Sequence, residues 1–225
     1  MSELIQIAGS IREALHQPTL AARVELHIEG LILDGRVSPG SRVIEEDLAR
    51  ELGISRASLR EAMIGLEQAG LVSRTGKSGR SIRRLTDRDV KELYQLWTIL
   101  EPEAAALACM RATDLDHALI RTIMSEMIDA AHDRKAYHRL NLAFHRALVK
   151  PCDNAMLLQS YYACIKQVSW AWALAISKAG DPDVSIGEHQ EIADAYFSRN
   201  PEDTRRLVRE HLTEGALRTH SAEPS

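Results

Sequence analysis

Asp47-Leu-Ala-Arg-Glu-Leu-Gly53-Ile-Ser-Arg56-Ala-Ser-Leu-Arg60-Glu-Ala-Met-Ile-Gly-Leu66 decides the fold of this chain. Leu48, Ala49 and Leu52 form an apolar stripe at helical spacing, and Gly53 breaks that helix. Ser55 caps the next one, whose inward stripe is Leu59, Ala62, Met63 and Leu66. Two short helices joined by a tight turn containing glycine are the signature of a helix-turn-helix. The second helix opens with Ser55, Arg56, Ala57, Ser58 and Arg60. Small, polar and cationic groups at a helix N-terminus are what a DNA major groove accepts.

The flanks agree. Upstream, a helix is predicted over Leu20 to Leu33 with Val24, Ile28, Leu31 and Ile32 inward, and Asp34-Gly35 ends it. Pro39-Gly40 marks a turn and Arg42-Val43-Ile44 a short strand. Downstream, Gly70 supplies a left-handed helix end. Leu71–Arg74 and Ser81–Arg84 read as strands around a glycine-rich tip, Thr75-Gly-Lys-Ser-Gly-Arg80. The result is a winged helix-turn-helix whose wing is basic: Arg74, Lys77, Arg80, Arg83, Arg84 and Arg88 are opposed only by Asp87.

The whole chain of 225 residues carries a formal net charge of −4, so its affinity for nucleic acid rests on that local basic surface rather than on bulk charge. Aromatic residues make up only 4%, and abundant Ala, Leu, Glu and Arg favour helices. Cys109, Cys152 and Cys164 lack metal-type spacing and read as buried thiols in a reducing cytoplasm. No charged leader with an apolar core opens the chain and no apolar run approaches membrane-spanning length, so a soluble cytoplasmic protein without membrane contact is expected.

After Leu85 the pattern turns purely helical. Thr86-Asp-Arg-Asp89 is an N-cap run, followed by a stripe of Val90, Leu93, Leu96 and Leu100. Pro102 is expected to kink or restart that helix. Further helices are predicted to start near Thr113, Asp133, Asn154, Ser185 and Asn200, with a break at Gly180-Asp181-Pro182. The expected fold is mainly α. Residues 1–18 form an N-terminal arm, 19–85 a winged helix-turn-helix DNA-binding domain, 86–220 an all-α antiparallel bundle, and 221–225 a tail.

With both halves read, the chain resembles the GntR family of bacterial regulators, in the FadR-like branch with an all-helical FCD effector domain. The first half carries the likeness in Val37-Ser-Pro-Gly-Ser-Arg-Val43, Leu48-Ala-x-x-Leu-Gly-Ile-Ser-Arg56, Leu59-Arg60-Glu-Ala62 and Leu66-Glu-x-x-Gly-Leu-Val72. The second half carries it in Asn141-Leu-Ala-Phe-His145-Arg-Ala-Leu148, Glu188-His189-x-x-Ile192 and Arg209-Glu-His211-Leu212. The resemblance implies a homodimer on a pseudo-palindromic double-stranded operator, and a small-molecule effector, usually an organic acid, inside the bundle.

Arg56 and Arg60, four apart, share one face of the recognition helix, and arginine grips guanine O6 and N7 bidentately. The family pattern also puts base-reading arginines at these positions. Ser55 and Ser58 are candidate phosphate partners, Ala57 lies between them, and Arg42 is a further phosphate candidate. In the wing, Gly76 and Gly79 permit a tight turn and close approach to the backbone, from which Lys77 and Arg80 are expected to reach phosphates or the minor groove.

Asn141 and His145 also project from one helical face, with His189 and His211 on later helices. From spacing alone each histidine reads as a hydrogen-bonded core residue. The resemblance instead implies that the three are metal ligands, with Asn141 where the family usually has Asp. Zinc is the first expectation for such a divalent ion, with nickel and manganese as alternatives. A neutral amide in place of a carboxylate predicts lower metal affinity and stronger attraction for an anionic effector, because the ion's charge is left uncompensated.

Trp97, Glu101, His138 and Trp170 are the candidate effector-pocket residues. Trp97 stands where relatives often have an arginine that pairs with an effector carboxylate, and a ring there suits stacking. His138 is expected in a solvated position near its helix start. Trp170 and Trp172, two apart, cannot both face one way, and at least one should pack in the core.

The function read from all this is a sequence-specific transcriptional regulator, expected to be a repressor, controlled by an organic-acid or sugar-acid carboxylate. The alternatives are a metal-dependent hydrolase using the three histidines, and a DNA-binding regulator with a purely structural metal. The hydrolase lacks a general base, since Asn141 cannot serve and Glu188 beside His189 is expected to point away. The chain is therefore read as not an enzyme.

Overall fold

The computed structural model describes residues 18–76, 79–175 and 182–220. The expected N-terminal arm up to residue 17, Lys77 at the wing tip, Gly180-Asp181 and the tail 221–225 lie outside the described residues. The chain divides into two compact units between Arg84 and Leu85.

In the first unit, Thr19 caps α1 (Leu20–Leu33), its side chain accepting from Ala22 N at 3.1 Å. Strand β1 (Arg42–Val43) leads into α2 (Glu45–Leu52), whose first turn holds Glu45, Glu46 and Asp47 at the positive end of the helix dipole. α3 (Arg56–Gln68) follows, then β2 (Val72–Thr75) and β3 (Gly79–Ile82). The sheet is antiparallel in the order β1-β3-β2. Ile32, Leu59, Ala62, Met63, Leu66, Leu71 and Ile82 are buried together with Ala49 as the core of this unit.

Gly53 turns the chain between the two helices at φ +63°, and Ile54 N closes the turn on Ala49 O at 3.0 Å. A Cβ there would meet nothing within 4 Å, so only the left-handed backbone resists substitution. Gly53→Ala should therefore cost about 1–2 kcal/mol, read as a fall of several degrees in the melting midpoint. A midpoint equal to wild type would mean that the turn relaxes.

The wing differs from expectation in register. β3 begins at Gly79, not Ser81, with Arg74 opposite Arg80 and Thr75 opposite Gly79. Gly79 thus lies in the ladder rather than the tip. A Cβ on it would fall 2.7 Å from Thr75 O, which explains the glycine. Arg83 and Arg84 lie beyond the strand, although Arg83 N still bonds Leu71 O at 2.9 Å.

The second unit is helical. Capping boxes open α4 (Asp87–Cys109, Thr86 with Asp89) and α5 (Asp114–Asp129, Thr113 with Asp116). Asp133 caps α6 (Arg134–Val149), and a short 3-10 turn, Lys150–Cys152, leads to α7 (Ala155–Ala175). α8 (Pro182–Phe197) and α9 (Pro201–His220) complete the bundle. Pro102 does not restart α4, which runs through it unbroken. The lost backbone bond is confined to one turn, and the buried alanines 104–106 and Ala108 beyond it keep the helix against the core.

α4 is the central helix, packed against α6, α7 and α9, while α5 packs on α6 and α8. Arg199 donates to the carbonyls of Cys109, Met110 and Ala112 at 3.3, 3.3 and 2.9 Å, satisfying the orphan C-terminal end of α4. Cys109, Cys152 and Cys164 are free and buried. No helix among the described residues is long and apolar enough to cross a membrane.

Candidate functional site

The first unit presents a cationic hollow of about 390 Å³ lined by Arg42, Arg56, Arg60, Arg74, Gly76 and Arg80, with Glu45 and Glu46 at its side. Arg42, Arg56 and Arg60 are exposed, as are Ala57 and Gly76. Arg56 lies 3.8 Å from Glu46 with both side chains about two-thirds exposed, a pairing too weak to hold the guanidinium back. Ser55 Oγ accepts from Ser58 N at 3.0 Å and sits 2.9 Å from Ser58 Oγ, so the cap is formed within α3 itself.

Arg80 corrects an expectation. Its side chain is only 8% exposed, and it pairs with Glu45 and, at 3.3 Å, with Glu67. The β3 register turns it inward from the wing onto the starts and ends of α2 and α3, so its charge is spent inside the domain. Arg74, opposite it in the hairpin, stays 70% exposed while bonding Glu67 at 2.8 Å. Glu67 thus holds both arginines, and the two differ in how far each guanidinium reaches solvent. Strand alternation puts Arg80 on the face of Ile82, two residues on, and Arg74, directly opposite, on that same face.

The second unit brings three helices to one internal point. His145 (α6), His189 (α8) and His211 (α9) each offer a ring nitrogen within 4.8 Å of the others, and all three are buried. Asn141 lies one turn before His145 on α6 and is also buried. Asn141 Oδ1 and His145 Nε2 are buried polar atoms with no hydrogen-bond partner. Orphaned acceptors beside convergent imidazoles fit a divalent cation, which would satisfy them.

The residues behind the histidines were not foreseen in this role. Glu101, fully buried on α4, places Oε1 2.5 Å from His145 Nδ1, and its Oε2 accepts from Trp97 Nε1 at 2.5 Å. Glu188 does not point away: its Oε2 lies 2.6 Å from His211 Nδ1. Consecutive helical residues diverge by about 100°, enough for Glu188 to reach the neighbouring helix while His189 faces the centre. Burial pushes the His211 ring below its ordinary pKa, and the Glu188 carboxylate opposes that only in part. The neutral donor set is thus backed by two acidic side chains, contrary to the expectation of an uncompensated site.

Trp97 is 1% exposed and packed edge-on against His145 and Trp172, with centroids at 5.1 and 5.3 Å. It fills the wall instead of offering a free stacking face. Trp172 lines the same wall a little further out, its ring centroid 6.3 Å from that of His145, and its Nε1 donates to Tyr94 OH at 2.7 Å. Trp170 is fully buried and, two positions away, lies on roughly the opposite side of α7. Trp172 continues the buried stripe Tyr161, Ile165, Val168, a periodicity that identifies it from sequence. His138 is not solvated. Its ring tilts on Trp172 at 5.8 Å, and burial lowers its pKa.

Comparison with known proteins agrees with both halves. Residues 20–82 match the family described as bacterial regulatory proteins, gntR family, and residues 92–214 match the FCD domain. The chain is 31% identical over 177 residues to the Nta operon transcriptional regulator of Aminobacter aminovorans, spanning 77% of this chain and 82% of that one. It is 29% identical over 201 residues to a protein of Paenarthrobacter nicotinovorans named as probable D-xylose utilization operon transcriptional repressor, spanning 88% of each. In fold it resembles E. coli McbR/YncC, with a TM-score of 0.75 at 20% identity over 91% of this chain and 99% of that chain.

Proposed function

The chain belongs to the GntR family of bacterial regulatory proteins and carries an FCD domain, and on that premise we propose that this DNA-binding transcriptional regulator is a cytoplasmic repressor released or engaged by a small carboxylate. Residues 19–85 hold the operator and residues 86–220 sense the effector at a divalent-metal centre. The observation that carries this reading is the buried convergence of His145, His189 and His211 beside the orphaned Asn141 oxygen. Asn141 and the three histidines would hold the ion, zinc in the first instance. When bound, such an ion supplies a Lewis-acidic point that a carboxylate can ligate. An effector regulates only through a difference in affinity between two arrangements of the protein.

A homodimer matches the twofold symmetry of a pseudo-palindromic operator. Its support is an apolar face along α4 and its C-cap, where Leu96, Ile99, Leu107 and Met110 are 44%, 63%, 37% and 54% exposed around the ion-paired Glu103. Their spacing keeps them on one face over about 20 Å of helix, the kind of surface that a second copy covers. A hydrolase finds no free general base here, because Glu101 and Glu188 are both engaged at imidazole nitrogens.

The test is metal analysis of the purified protein with a thermal-shift screen of organic, sugar and aromatic acids, before and after chelation. The expected result is one ion per chain and an acid that raises the melting midpoint only in the metal-loaded protein. If chelation melts the bundle and no acid acts, the metal is structural. If no metal is found, the histidines line an ordinary pocket.

A further inference from the structure

We propose that Glu101 and Glu188 form an outer carboxylate layer that sets the tautomers of His145 and His211 and neutralises the charge of the centre. The proposal rests on the metal reading above. Three imidazoles and an amide are all neutral donors. A dication held by them alone would bring two uncompensated charges into a site where His145 and His189 have no exposure, at a steep desolvation cost.

The structure supplies the missing charges one atom layer out. An ionised carboxylate only accepts, so Glu101 at 2.5 Å and Glu188 at 2.6 Å each require a proton on the Nδ1 that they face. Both rings then present an Nε2 lone pair, and His145 Nε2 is among the buried atoms of the described residues that lack a hydrogen-bond partner. Two carboxylates balance one dication.

The layer also gives Trp97 a task. Its Nε1 can only donate, and it donates to the Glu101 oxygen that His145 leaves free, so Trp97, Glu101 and His145 form one chain from α4 to α6. Trp97 and Glu101 are four apart on α4 and project from the same face. Trp97 is thus a positioning residue for Glu101, and both leave the set of residues expected to touch an effector directly.

The experiment uses the full-length protein stripped with chelator and titrated with Zn²⁺ against a chromogenic competitor. Glu101→Gln and Glu188→Gln each keep a hydrogen-bond acceptor and remove a charge. Each should weaken Zn²⁺ binding about 10- to 100-fold. Asn141→Asp should strengthen Zn²⁺ binding by a larger factor in the Glu188→Gln background than in the wild type, a coupling that a merely structural role for Glu188 would not give. Glu188 is one-quarter exposed, so its variant tests the layer even if Glu101→Gln misfolds.

Imidazole ¹⁵N spectra of the metal-free wild type should show His145 and His211 protonated at Nδ1. Gln variants binding Zn²⁺ within about twofold of wild type, or rings protonated at Nε2, overturn the proposal. If the wild type takes up no Zn²⁺, the metal reading fails separately, and the tautomer spectra then decide whether the layer exists.

Discussion

His145→Ala should abolish stoichiometric metal binding and destabilise the bundle even when no metal is present. The ring sits in the core between Trp97, Phe144, His189 and His211. Its removal opens a cavity and leaves Glu101, which has no exposure, with the oxygen that faced His145 unsatisfied while Trp97 holds the other. Breaking a buried pair by deleting one member costs about 3–5 kcal/mol. Urea unfolding of metal-free protein measures this directly. The midpoint should fall sharply, and Glu101→Gln in the same background should recover part of the loss because an amide tolerates burial better than an unpaired charge. A single variant within about 1 kcal/mol of wild type would mean that water or a shifted side chain has taken the ring's place.

The pH response has a defined sign. Burial depresses the ring pKa of both His138 and His211. The unfolded chain therefore takes up these protons first, near the ordinary value of about 6.5. Stability from the two rings is present above that pH and is lost as pH falls towards their folded values. Metal occupancy should fall in the same direction, since protons compete for the ligand nitrogens.

The second large effect is expected at the recognition helix. Arg56 and Arg60 are exposed at the start of α3 with no strong partner to restrain them. A bidentate arginine–guanine contact contributes about 1–3 kcal/mol of discrimination, and a dimer makes it twice. Arg56→Ala should thus weaken binding to a selected operator by about 10²- to 10⁴-fold and relax base choice at one position of each half-site. Lys77→Ala should weaken all sequences alike and flatten the salt dependence. Arg80→Met should leave the salt slope unchanged, because the Arg80 charge is held by Glu45 and Glu67. Equal losses for Arg56→Ala on selected and random DNA would place Arg56 on phosphate.

Much of the fold was legible because its signals are local. The α1 helix falls on the predicted residues, and Ser55, Thr86, Thr113 and Asp133 cap the helices predicted to begin beside them. Each cap needs only atoms two or three residues apart. The wing was harder. Its two strands were evident, but the second begins two residues earlier than expected, and the carboxylates that hold Arg80, Glu45 and Glu67, come from α2 and α3. Pro102 misled for a related reason: a single breaker is a local penalty, and packing on three neighbouring helices outweighs it.

The histidine centre divides the same way. The three clustered histidines and Asn141 were legible as candidates from their motifs, while the groups behind them were not. Trp172 was recoverable from the stripe it continues on α7; Glu101 and Glu188 were not recoverable in their observed roles. The hydrogen bond between Glu101 and His145 joins residues 44 apart, and that between Glu188 and His211 joins residues 23 apart, each across a helix interface. The sequence by itself determined the winged helix-turn-helix and the helical bundle and marked the histidines as candidates, since periodicity and capping act within a turn or two of chain. Only the tertiary structure decided which carboxylate faces which imidazole, how the two indoles line the centre and which arginine is held inside the first unit, because those outcomes depend on how distant elements pack against one another.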